Sequence, residues 1–118
     1  MTTQLGKELK KLRIDLGITL MDMSKQIGVS SAFLSAVETG RKRVPDNFLE
    51  NLAAAYTEID QQIDKYEILV NQARNEVRLF VDSNNFEDAK LATALARRFS
   101  TLDSVEKEQL KKFLKVEA

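Results

Sequence analysis

Residues 17–40 read GITLMDMSKQIGVSSAFLSAVETG. The stretch holds two short helical patterns, Thr19 to Ile27 and Ser31 to Thr39, parted by a Gly-Val-Ser break. Thr19 can cap the first pattern, whose apolar side is Leu20, Met23 and Ile27. Gly28 supplies the turn, where a left-handed backbone costs glycine little. Ser30 suits the N-cap of the second pattern, Phe33, Leu34 and Val37 are its apolar residues, and Gly40 is its stop.

Two short helices joined by a tight glycine-containing turn make a helix-turn-helix, whose second helix is sized for the major groove of DNA. The flanks support a helical bundle around it. Upstream, Leu5, Leu9, Leu12 and Leu16 recur at helical spacing and mark one apolar face. Downstream comes a basic loop, Arg41-Lys42-Arg43. Pro45 then sits at the favoured first position of a helix expected to run to about Tyr56.

Composition narrows the function classes. The 118 residues contain no cysteine and no histidine. Disulfides, thiol nucleophiles and Cys-containing zinc sites are thereby excluded, and the usual general base is missing. Acidic pairs such as Glu87-Asp88 and Asp60 with Asp64 read as helix-start charges and a solvated face. A non-enzymatic protein with no metal and no cofactor is expected. No apolar run of membrane-spanning length and no signal-peptide pattern occur, so a cytoplasmic location is expected, with no membrane partner. The net charge is zero, but residues 1–56 carry eight Lys/Arg against six Asp/Glu and residues 57–118 carry ten against twelve. Affinity for DNA depends on where the positive charge sits.

Beyond Tyr56 the pattern loosens. Ile59, Ile63, Tyr66, Val70 and Ala73 form a heptad-like stripe that predicts a long helix. The stripe can be extended through Val77 and Phe80, yet Val77, Leu79 and Val81 also alternate as in a strand. A short strand over 76–82 is the preferred reading, and a second copy of the chain is its simplest pairing partner. Two further helices are expected. One is capped by Asn85 and runs over about Phe86 to Phe99; the other opens on a capping box of Asp103 and Glu106.

Residues 5–56 resemble the lambda-repressor/Cro class of helix-turn-helix regulators, the XRE family. Leu5-Gly6, Leu9, Leu12-Arg13 and Gly17 carry the resemblance, with Ile27-Gly28-Val29-Ser30 in the turn and Leu34 to Gly40 in the second helix. The resemblance implies a mainly α fold: a five-helix DNA-binding domain, whose fifth helix would begin near Glu58, and a smaller C-terminal helical segment. The boundary is placed at 56, with 57–118 devoted to dimerisation or partner binding. Two positions depart from the family pattern. Leu20 stands where relatives carry a phosphate-binding Gln, and Met23-Ser24 stands for the usual Leu-Ala.

Carried over by position, the base readers are Ser31, Ala32, Phe33, Ser35 and Ala36. None can make the bidentate contacts of Arg, Asn or Gln. Hydrogen-bond discrimination should be weak, leaving specificity to methyl contacts and DNA shape. Packing roles for Phe33 and Ala36 stay open at this point. Thr19 and Ser30, at the two helix starts, join the expected contact set, and Arg41, Lys42 and Arg43 are expected at phosphates. Lys7, Lys10, Lys11 and Lys25 read as ordinary surface charge. Arg13 and Glu38 are expected to form a structural ion pair between the first helix and the recognition helix.

One reading helix covers few base pairs, so a dimer is expected, with Ile63, Tyr66, Val70, Val77, Leu79 and Val81 as its surface. The expected function is a dimeric repressor on a palindromic operator. The alternative is an antitoxin whose residues 83–118 neutralise a toxin partner while the first domain represses its own operon.

Overall fold

The computed structural model describes residues 1–116. The chain is mainly α-helical and divides into two units, Met1–Val77 and Arg78–Ala118. In the first unit, α1 (Gln4–Leu16), α2 (Leu20–Ile27), α3 (Ser31–Glu38) and α4 (Phe48–Ala55) are followed by a short α5 (Thr57–Asp60) and by α6 (Ile63–Arg74). In the second, α7 (Phe86–Arg98) leads through a 3-10 turn at Phe99–Thr101 to α8 (Ser104–Leu114).

Local chemistry sets the early helix ends. Thr3 caps α1 by accepting from the Gly6 amide at 3.0 Å. Thr19 and Asp22 form a reciprocal capping box at the start of α2. The Ser30 hydroxyl accepts from the Phe33 amide at 3.0 Å and starts α3. Gly28 adopts φ 77°, the left-handed region that makes the turn between α2 and α3 so tight.

One apolar core fills the first unit. Leu5, Leu9 and Leu12 of α1 meet Met23 and Ile27 of α2, Leu34 and Val37 of α3, and Phe48 and Leu52 of α4. Burying each such side chain stabilises the fold by roughly 1.5–3 kcal/mol, so helix packing outweighs the weak propensity of eight-residue helices. Ile59, Tyr66, Leu69 and Val70 belong to the same core, with Ile59 fully buried.

That burial moves the domain boundary. The residues after Tyr56 complete the first core, so the unit ends at Val77 rather than at 56. The charge split moves with it. Residues 1–77 carry ten Lys/Arg against eleven Asp/Glu, and 78–118 carry eight against seven. Tyr66 and Val70, expected at a dimer surface, are inside the chain's own core, and Ile63 is half-buried. The long helix is also interrupted: α5 stops at Asp60 and α6 restarts at Ile63. The following helix of the basic loop begins at Phe48, not Pro45, because Pro45 lies in a turn whose carbonyl accepts from the Phe48 amide.

The strand expected over 76–82 is not formed. Asn75, at φ 58°, ends α6 in a left-handed cap, and 76–82 have no regular structure. Alternation supplies side chains for two faces, but a strand also needs a ladder partner for its backbone. No strand occurs among the described residues.

The second unit has the expected caps and little else. Asn85 accepts from the Asp88 amide, and Asp103 with Glu106 makes a capping box. Arg98 pairs with Glu106 at 3.6 Å, and Lys107 lies over the Phe99 ring. Among its described residues no side chain is buried.

Candidate nucleic-acid interface

The recognition helix is braced from behind. Arg13 on α1 grips Glu38 on α3 in a bidentate pair, Nη1 to Oε2 at 2.6 Å and Nη2 to Oε1 at 2.9 Å. Both side chains are about nine-tenths buried, at 10% and 8% exposure. The planar guanidinium suits this fork-on-fork geometry. Met23 Sδ lies 3.4 Å from the same Nη1 and closes the site on the α2 side. A second tie joins α1 and α3 at the backbone. The Glu38 carbonyl accepts from the Thr3 amide at 2.9 Å and from the Thr3 hydroxyl at 3.0 Å. Sequence reasoning reached the ion pair through a resemblance and missed Thr3, whose partner lies 35 residues away.

The face in front of this brace is small. Ala32 is exposed, while Ser31, Ser35 and Ala36 are half-buried. Phe33 is also half-buried and packs against the core, so its ring is at least partly a structural residue. The accessible groups are therefore hydroxyls and methyls, as the residue types had indicated. The first turn of α3 carries no acidic residue, so the positive end of its dipole faces outward unopposed by its own side chains.

Ser30 directly precedes this face and Thr19 caps the preceding helix α2; both are exposed. Each hydroxyl oxygen accepts a backbone N–H, which leaves its proton to donate to an incoming oxygen. At the start of α2, Asp22 adds a negative charge. Its hydrogen bonds with Thr19 hold the carboxyl below the usual carboxylate range, so it stays ionised near neutral pH. The approach of a phosphate at Thr19 is thereby opposed.

Beyond α3 the backbone folds onto the helix end. The Ala36 carbonyl accepts from the Arg41 amide at 2.8 Å and from the Lys42 amide at 3.1 Å. Arg41, Lys42 and Arg43 are all exposed. They are not equivalent. Arg41 donates to Thr39 Oγ1 at 3.2 Å, whereas Arg43 forms an ion pair with Glu76. The hydrogen bond and charge of Glu76 push the Arg43 pKa still higher. Val44, next to them, is buried and anchors the loop in the core. Nothing in the basic run itself signalled that anchor.

A family model described as a helix-turn-helix domain matches residues 4–62, half of the chain. The chain belongs to the helix-turn-helix domain family. The match spans α1 to α5, and it supports the reading of this helix-turn-helix surface as a DNA-binding one. No curated protein and no solved structure matches the chain. No helix of the described residues is long and apolar enough to cross a membrane.

Proposed function

We propose that this helix-turn-helix protein is a sequence-specific transcriptional regulator that works as a homodimeric repressor on a palindromic operator. The observation that carries the reading is the braced α3, with a partly exposed N-terminal face free of acidic residues and exposed cations on the loop that follows. Arg41 and Lys42 would hold phosphates, while Ser31, Ala32, Ser35 and Ala36 meet base edges. With such short side chains, α3 must come close to the groove floor, and DNA shape would carry much of the selectivity. The protein would act by binding alone, without catalysis.

Two such helices must sit about 34 Å apart to read successive half-sites. The pairing surface we propose is residues 77–114, where Val77, Leu79, Phe80, Leu91, Phe99 and Phe113 are exposed. The same exposed apolar residues favour a second reading, in which this segment binds a toxin and the first unit represses the shared operon. Selection of bound sites from random DNA at low salt, with the molecular mass in solution measured alongside, tests the first reading. Enrichment of a two-fold symmetric site by a dimer supports it; failure to enrich any site overturns it. A stable one-to-one complex with the product of a co-transcribed small reading frame would favour the second.

A further inference from the structure

The loop that carries the phosphate-binding cations is held by the far end of α6. Arg74 reaches it with a side chain that is only 12% exposed. Its Nε donates to the Val44 carbonyl at 3.1 Å and its Nη2 to the Pro45 carbonyl at 2.5 Å. The same Nη2 lies 3.9 Å from Asp46 Oδ1. Two residues on, past the left-handed Asn75, Glu76 meets Arg43. One helix end therefore sets both the backbone of the loop and the partner of its last arginine.

The chemistry of the Arg43 pair matters because a carboxylate and a phosphate compete for the same guanidinium fork. Glu76 occupies Arg43 before any DNA arrives. Both side chains are about half exposed, so the pair is weak enough to exchange in water. We propose that Arg74 and Glu76 are affinity-setting residues of the DNA-binding surface: Arg74 positions the basic loop, and Glu76 restrains binding by holding Arg43 away from phosphate. The inference rests on the DNA-binding reading. It separates Arg43 from Arg41 and Lys42, which the basic run alone makes look alike. It also gives the start of segment 76–82 a direct hold on the DNA-binding surface, since Glu76 is its first residue.

The test is a double-mutant cycle on DNA affinity, using the full chain and a mixed-sequence duplex at several salt concentrations. Glu76→Gln is expected to raise affinity about 2- to 5-fold, the range open to an exposed ion pair. It should also steepen the salt dependence by up to about one counterion, as Arg43 gains a phosphate. Arg43→Gln should cost little in the native background and several-fold more in the Glu76→Gln background. Arg74→Gln should lower affinity several-fold at every sequence without changing site preference. Glu67→Gln, on α6 itself, removes an equal charge and leaves the Arg43→Gln cost unchanged. Equal Arg43→Gln costs in the native and Glu76→Gln backgrounds overturn the proposal for Glu76. A changed site preference in Arg74→Gln overturns the role given to Arg74. Absence of any binding by the native chain overturns the DNA reading and this inference with it, whereas native binding with no coupling overturns the inference alone.

Discussion

A Cβ added to Gly6 would sit 2.4 Å from the Glu38 carbonyl oxygen. The glycine is there because α1 and α3 approach too closely for any side chain, on the same residue that pairs with Arg13. Gly6→Ala must push the helices apart and should destabilise the fold by about 1–3 kcal/mol. Glu38→Ala leaves the Arg13 guanidinium buried without its carboxylate, a loss of about 3–5 kcal/mol. Both variants should lower the melting temperature and weaken DNA binding together. A Glu38→Ala protein that melts like the native one would refute the brace.

The two tyrosines are expected to ionise late. Tyr56 and Tyr66 are both buried, and burial pushes each hydroxyl above the usual 10.0. In the unfolded chain they titrate at the ordinary value. Because the folded values are raised, the stability they confer is complete below pH 10.0 and is lost as pH rises through the folded values. Ultraviolet titration of the native chain should show tyrosinate absorbance delayed relative to the chain in denaturant. Coincident curves would show that neither ring is in the core.

Much of the DNA-binding unit was legible because its signals are local. Thr19, Gly28 and Ser30 act on residues no more than four positions away, and the structure keeps each in its expected role. What was not legible depends on distant partners. The stripe from Ile59 to Ala73 runs at helical spacing straight through the interruption at Gln61 and Gln62, so periodicity alone concealed the break. The residue types of 76–82 suit a strand, but a ladder depends on another segment. Arg74 carries no local signal of its role, because its bonds to Val44 and Pro45 span about 30 residues.

Charge reversal at Arg41 and Lys42 should weaken binding to every duplex alike. Each lost phosphate contact should flatten the logarithmic salt slope by about 0.9. Parallel binding isotherms on operator and unrelated DNA check this. A loss confined to the operator would make these side chains base readers.

Leu79→Asp places a charge in the exposed apolar segment and should convert a dimer to monomer on a sizing column. Tyr66→Phe is the companion, since Tyr66 is inside the first unit and its change should leave the mass unaltered. A dimer that survives Leu79→Asp would place the interface elsewhere.

The last buried hydrophobic residue among those described is Val70, yet two more helices follow it. Heating the Leu79→Asp monomer should therefore give two different curves. Tyrosine fluorescence comes only from Tyr56 and Tyr66 and should drop in one sharp transition. Helical ellipticity should also decline on a broad slope, because α7 and α8 have no interior of their own to lose. Any molecule that covers them would reveal itself by making the two curves coincide.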